Sequence, residues 1–135
     1  MILHGYQEID HTADLALKVW GANFHVLMKW AAQGMYDLMG INLNVESPIE
    51  YKFHIEVGSL ETILVDFLSE LLYRCEEKQE AFINFLFATD QERLDITAKG
   101  YKVKTLVRSI KAVTYHDLNI KMTETGMETT ITFDV

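Results

Sequence analysis

Cysteine, proline and basic residues are all scarce in this chain, and the scarcity excludes several classes of protein. The one cysteine, Cys75, rules out an intrachain disulfide and a cysteine-rich zinc site. Twelve Lys and Arg residues against twenty Asp and Glu residues give a net charge of −8. This charge disfavours direct, non-specific binding to nucleic-acid phosphates, whereas a basic protein partner or a cation is easier to accommodate.

Long apolar runs and targeting signals are absent as well. No stretch approaches the ~18 consecutive apolar residues of a membrane-spanning helix. Residues 1–5 lack the charged segment and apolar run that begin a secretory signal. We therefore expect a soluble, cytoplasmic protein with no membrane contact. Its 135 residues, 49% of them apolar, predict a single domain over residues 1–135 with a substantial core.

Two segments have the periodicity of amphipathic helices. In the first, apolar residues recur at spacings of three and four over residues 24–38, with Asn23 placed to cap its start and Gly40 its end. In the second, the same spacing covers residues 60–75, with Ser59 as the expected N-cap. Each helix has one broad apolar face, which predicts that it packs on a sheet.

Most of the remaining chain is typical of β-strands. Strands are predicted near residues 7–10, 15–19, 51–57, 83–89, 94–98, 106–113, 118–123 and 130–135. Where apolar and polar residues alternate cleanly, one face of the strand is buried and the other is wetter, which is typical of antiparallel sheets. The order of the elements predicts an α+β fold, with a mixed or antiparallel sheet and the two main helices packed on one side of it.

The densest polar cluster is Asp10-His11-Thr12-Ala13-Asp14, at a turn between two predicted strands. Asp14 offers a hard oxygen ligand for a divalent cation, and His11 an imidazole that could act as an acid or a base. The same residue types are ordinary turn formers, because their side chains bond to nearby backbone groups. The pattern alone favours the turn interpretation.

The C-terminus is the second candidate site. Asp134 lies on the face opposite the apolar residues of the last strand, and Val135 carries a free α-carboxylate. With Asp14, these groups would supply three negative charges, and calcium favours many oxygen ligands of this kind. Chain ends are commonly frayed and solvated. Here the alternation continues to Val135, which predicts an ordered end.

The third candidate covers residues 111–117. Lys111 could contact a phosphate or an acidic partner group, and His116 could titrate, but a strand ending in a turn explains the same residues without chemistry. Glycine-rich phosphate loops, nucleophile elbows and the His-Glu-x-x-His zinc motif are missing from the sequence. Cys75 falls on the apolar stripe of the second helix and is therefore interpreted as a core residue.

Five parts of the sequence, in this order, resemble the signatures of the archease family. They are DHTAD at 10–14, WG at 20–21 with GMYDLM at 34–39, LVDFLSELLY at 64–73, KAVTYH at 111–116 and FDV at 133–135. The resemblance extends from end to end. Two departures stand out: Ala16 occupies a position where many members have glycine, and the segment before Lys111 is short, which alters a surface that could meet a partner.

The resemblance implies a function that the patterns do not show. Archeases assist the RNA ligase that joins tRNA halves after intron removal, by promoting guanylylation of the ligase and its multiple turnover. It implies that the chain is not itself an enzyme, that the ligase is its protein partner and that RNA contact is only indirect. The implied cofactor is a divalent cation, with Ca²⁺ first and Mg²⁺ or Mn²⁺ as alternatives. The implied ligands are Asp14, Asp134 and the terminal carboxylate of Val135, and Lys111 and His11 are further functional candidates.

Two other functions stay open on the sequence. One is a stand-alone metal-dependent phosphoesterase, in which carboxylates on one cation activate water. The other is a chaperone-like module whose metal is purely structural.

Overall fold

The structure, a computed structural model, describes residues 4–9 and 14–135. Within them the elements are β1 (Gly5–Ile9), β2 (Leu15–Gly21), α1 (Phe24–Met39), β3 (Asn42–Glu56), α2 (Leu60–Lys78), β4 (Glu80–Thr89), β5 (Arg93–Thr105), β6 (Ala112–Thr114), β7 (Lys121–Thr123) and β8 (Gly126–Asp134). Neither helix combines the length and apolarity needed to cross a membrane in the part of the chain that is described.

The described strands divide between two sheets. The larger has the order β1-β2-β8-β6, with β7 also paired to β8, and the smaller has the order β3-β5-β4. Every pairing is antiparallel. The predicted α+β class is confirmed, and its antiparallel form is the one observed. The division into two sheets was not predicted.

Capping side chains fix the start of both helices, as predicted. The Asn23 side chain accepts a hydrogen bond from the Val26 N–H at 3.0 Å, and the Ser59 hydroxyl accepts one from the Thr62 N–H at 3.1 Å. These bonds satisfy backbone donors that lack a partner in the first helical turn. Helix α1 ends at Gly40, whose φ of 64° is in the left-handed region that glycine adopts at low cost.

One hydrophobic core joins both helices to both sheets. Helix α1 lies close to β2 at Gly34, which has no side chain to keep them apart. A Cβ added there would be only 2.6 Å from a methyl group of Leu17 on β2. Leu17 of β2 and Phe133 of β8 are among the contributions of the larger sheet to this core. Phe67 of α2 contacts the Phe85 ring of the smaller sheet. Shared burial therefore holds the end of β8 in place, because Phe133 is fully buried.

Two predicted strands are wrong in extent, for a clear reason. Residues 106–111 are not a strand, because the N–H groups of Val107 and Arg108 both donate to the Met39 carbonyl at the end of α1. The predicted strand at 118–123 is reduced to β7, since the Ile120 N–H donates to the Glu61 carboxylate at 2.9 Å. In both segments, backbone N–H groups donate to acceptors at the end of a helix instead of to a neighbouring strand.

Helix α2 ends on Gln79, a non-glycine residue with φ 58° and ψ 47°. A left-handed backbone costs an L-residue ~1 kcal/mol, so we expect Gln79→Gly to raise the free energy of unfolding by about 0.5–1 kcal/mol and Tm by about 2–4 °C. The Gln79 N–H, which donates to the Cys75 carbonyl at 3.1 Å, is retained in the variant. Thermal and urea unfolding would measure the change.

The matched control is Lys78→Gly, one residue earlier and inside the helix. There glycine is expected to destabilise by about 0.5–1 kcal/mol, because helical φ and ψ favour other residues. Equal destabilisation by both variants would contradict the left-handed cap.

Candidate functional site

Strands β2, β8 and β6 bring the candidate residues to one end of the larger sheet. Leu15 pairs with Phe133, so the next step of that ladder places Asp14 opposite Asp134. Ala112 pairs with Asp134, so the next step of the second ladder places Lys111 opposite Val135. The Lys111 N–H donates to the Asp134 carbonyl at 2.7 Å, which holds Lys111 beside the end of β8 although it precedes β6.

The alternation of faces determines where the acidic groups point. Phe133 points into the core with none of its surface exposed, so the Asp134 side chain points to the opposite, solvent-facing side. Directly opposed residues of an antiparallel pair share a face. The register therefore places Asp14 on the same side of the sheet as Asp134. Asp14 is half-buried, Asp134 is exposed, and Val135 keeps 40% of its surface exposed.

The carboxylates of Asp14 and Asp134 are not neutralised by ion pairs with the residues that the structure describes. None of the ion pairs formed among residues 4–9 and 14–135 involves Asp14 or Asp134. Within the same residues, no three His, Cys, Asp or Glu side chains form a cluster suited to a metal. The predicted set is of another kind, because it combines two side-chain carboxylates with the terminal carboxylate that is expected at Val135 from the sequence. Such oxygen-only donors suit Ca²⁺, Mg²⁺ or Mn²⁺ better than a soft metal.

The remaining candidates are placed as follows. His11 lies outside the described residues. His116 contacts its neighbour Asp117, with Nε2 and Oδ2 3.2 Å apart, and both side chains are exposed. Asp117 has a φ of 53°, which agrees with the turn interpretation of this segment. Lys111 is exposed beside the end of β8, at the same end of the sheet as the acidic residues.

Cys75 is a core residue, as predicted. It is fully buried, and burial raises the pKa of its thiol to about 12. Because thiolate is the reactive form, we expect the native protein to react with a thiol reagent at pH 8 at least ~100-fold more slowly than the urea-unfolded chain. Absorbance of the released reagent gives both rates. Similar rates in the two states would contradict the burial of Cys75.

Sequence reasoning missed a groove on the other side of α2. Its volume is about 750 Å³, and its walls are β3 and the outward-facing residues Asp66, Ser69, Glu70 and Tyr73 of α2. In the sequence, acidic residues on the polar face of an amphipathic helix are ordinary and do not indicate a groove. The missing signal was the position of α2 relative to the edge of β3, which depends on the pairing of strands distant in sequence.

An ion cluster around the buried Glu80 was also missed. The Glu80 carboxylate is 2.5 Å from the Arg74 guanidinium and 3.4 Å from the Lys102 ammonium. The same guanidinium lies 4.0 Å from the centre of the Tyr51 ring. Glu80 is the first residue of β4, and its burial arises from tertiary packing that no local pattern reveals.

Comparisons with known proteins identify the family of this chain. The model of the Archease protein family (MTH1598/TM1083) matches residues 6–135. The protein archease of Methanosarcina barkeri is 30% identical over an alignment of 139 positions. The alignment covers 96% of this chain and 95% of that protein. The protein archease of Methanopyrus kandleri is also 30% identical, over 86% of this chain and 89% of that protein.

Solved structures share the fold. One is the crystal structure of an archease, described as a possible chaperone, from Thermotoga maritima, with a TM-score of 0.72 and 23% identity over 96% of both chains. Another is the solution structure of protein 1598 of Methanobacterium thermoautotrophicum, with a TM-score of 0.74 and 19% identity over 97% of this chain and 99% of that one. With the family match spanning nearly the whole sequence, the chain belongs to the archease family.

Proposed function

We propose that this chain is a non-catalytic protein cofactor of a tRNA-splicing RNA ligase in the cytoplasm, where it promotes guanylylation of the ligase and its multiple turnover. Membership of the archease family supports the proposal. The structural observation that carries it is the register of β2, β8 and β6, which collects Asp14, Asp134, Val135 and Lys111 at one end of the sheet. Residues far apart in sequence are thereby brought to the same end of the sheet, which supports the proposal of a shared polar surface.

The acidic members of this surface would hold a divalent cation, Ca²⁺ first and Mg²⁺ or Mn²⁺ as alternatives. Their oxygen donors fit such an ion, and no ion pair with a described residue competes for them. A bound cation would supply positive charge to phosphate oxygens. Lys111 would supply a second positive charge beside it, as a point charge on a flexible stem. His11 remains a further candidate on sequence grounds.

The partner would be met through this end of the sheet. We propose that the end of the larger sheet that carries Asp14 and Asp134 docks at the metal and nucleotide pocket of the ligase. There it would help to arrange a cation or GTP. A net charge of −8 favours approach to a cationic pocket and disfavours direct binding to RNA phosphates. RNA contact is therefore indirect in this proposal.

The test mixes the purified protein with the RNA ligase of the same organism, labelled GTP and a divalent cation. We expect more ligase–GMP adduct and more turnovers per ligase than with the ligase alone. An equal amount of an unrelated acidic protein is the control. No increase over that control would reject the proposal. Cleavage of phosphodiesters by the protein without ligase would favour the phosphoesterase alternative.

A chaperone-like role has a separate readout. The Thermotoga maritima structure is described as a possible chaperone. If the protein raised ligase activity only by preventing aggregation, light scattering of the ligase would fall while the adduct per soluble ligase stayed constant. We expect the adduct per soluble ligase to rise.

A further inference from the structure

Strand β3 has a free edge. Within the described residues it pairs with β5 alone, and it is 15 residues long. The Val57 N–H donates to the Glu92 carbonyl at 3.0 Å, and the register is constant from Pro48 to Glu56. Because hydrogen-bonded and non-hydrogen-bonded pairs alternate in an antiparallel ladder, the odd residues 51–55 bond to β5.

The even residues of β3 therefore face outward. The N–H and C=O groups of Lys52, His54 and Glu56 point away from β5, toward the free edge. A row of unpaired backbone groups of this kind is a template for another strand. Edge strands that bind nothing are commonly short, bulged or covered, whereas this segment is regular over nine residues.

The groove lies directly beside this edge. The rings of Tyr51 and Phe53 are stacked with centres 5.1 Å apart, and both side chains are only half-buried. Tyr73 on α2 keeps 50% of its surface exposed. Aromatic rings therefore form part of the lining of the groove, which has a free strand edge on one side and a helix on the other.

The charged side chains that line the groove are acidic. They are Glu56, Asp66 and Glu70, and no Lys or Arg lines the groove in the described part of the chain, although the Arg74 guanidinium lies 4.0 Å from the centre of the Tyr51 ring. The Glu70 carboxylate already accepts a hydrogen bond from the Tyr51 hydroxyl at 2.7 Å, whereas Asp66 is exposed. A second copy of this chain is a poor occupant, because it would bring two acidic grooves and two net charges of −8 together.

We propose that this groove binds an extended, basic segment of another protein, which adds to β3 as a further strand. Its backbone would pair with the outward groups of Lys52, His54 and Glu56. Alternate side chains would enter the groove, where apolar ones contact Tyr51 and Phe53 and basic ones meet the carboxylates. This surface is additional to the one at the end of β8.

The experiment selects binders from a displayed library of random twelve-residue peptides and measures the selected peptides by fluorescence anisotropy. We expect enrichment of Lys or Arg at alternate positions. Asp66→Lys should weaken binding of a selected peptide by at least ~10-fold, because an attractive contact with a basic side chain becomes a like-charge contact. Glu77→Lys, with the same charge change elsewhere on α2, should weaken it by less than ~3-fold, since only the long-range field changes.

A backbone variant tests strand addition separately. In His54→Pro the lost N–H is one that points to the free edge, so the β5 ladder keeps its bonds. We expect at least ~10-fold weaker binding by this variant, with a thermal transition close to that of the parent. Amide exchange of Lys52, His54 and Glu56 in the parent protein should slow when the peptide is bound.

Three results would each overturn the proposal. One is selection without enrichment of alternating basic residues. Another is unchanged affinity in both Asp66→Lys and His54→Pro. The last is concentration-dependent dimerisation of the parent, in analytical ultracentrifugation, that His54→Pro abolishes, because the occupant of the groove would then be a second copy of this chain.

Discussion

Asn in place of Asp14 or Asp134 is expected to reduce stimulated ligase guanylylation to nearly the level of the ligase alone. Each replacement keeps the shape of the side chain and removes one negative charge from a set of three. Loss of a residue that merely supports a metal ligand costs about 10–100-fold in metal affinity, so loss of a ligand should cost at least that much. Calcium titration calorimetry and the adduct assay would measure the two effects.

The terminal carboxylate needs a different variant. Two glycines added after Val135 keep every side chain and move the α-carboxylate away from the end of β8. We expect this extension to weaken calcium binding and stimulation to a similar degree as the Asp variants. Thermal melting should change little, because Val135 is 40% exposed and the core residue Phe133 is retained.

The matched control is Asp95→Asn, on β5 of the smaller sheet. Asp95 forms an exposed ion pair with Arg93 at 3.1 Å, a type of contact worth less than ~1 kcal/mol. Calcium affinity and stimulation should stay near the parent level. Full stimulation by all three site variants would reject the site. Lost calcium binding with unchanged stimulation would keep the cation site and reject its role in activating the ligase.

The helices of this protein could be predicted closely because their signals are local. The capping groups of Asn23 and Ser59 act on backbone donors three residues away, and the apolar spacing that defines α1 and α2 repeats every turn. The start of each helix and the end of α1 at Gly40 therefore agree with the sequence.

The geometry of the candidate site could not be predicted in the same way. The local pattern indicated only that Asp14 is an ordinary turn residue. For the chain end, the alternation of apolar and polar residues predicted an ordered strand but no neighbour. Their placement depends on the pairing of Leu15 with Phe133, which come from opposite ends of the chain. A period-two pattern predicts that a segment is extended and which face is buried, but it does not identify the strand beside it.

The misplaced strand at 106–113 has the same origin. Its apolar residues fit a strand, yet Val107 is 86% exposed and its backbone bonds to the end of α1. Arg108 adds two guanidinium bonds to the Leu38 carbonyl, at 3.1 and 3.0 Å. Unpaired carbonyls at a helix end attract such donors, and whether a passing segment reaches them depends on tertiary structure.

Phe67→Ala is expected to cause the largest loss of stability of any change considered for this protein. Phe67 on α2 is fully buried, and its ring lies 5.2 Å from that of Phe85 and 5.8 Å from that of Phe87, both edge-on. Truncation of a buried Phe costs ~3–5 kcal/mol, which is a large part of the 5–15 kcal/mol of a typical domain. Urea unfolding, followed by circular dichroism, would measure the loss as a lower midpoint.

The control for this prediction is Leu86→Ala, on the neighbouring strand β4. Leu86 is 68% exposed, so its truncation should change the free energy of unfolding by no more than ~0.5 kcal/mol. A loss below ~1 kcal/mol for Phe67→Ala would contradict the packing of α2 on the smaller sheet. Because α2 also forms one wall of the groove beside β3, that result would remove the structural basis of the proposed peptide site as well.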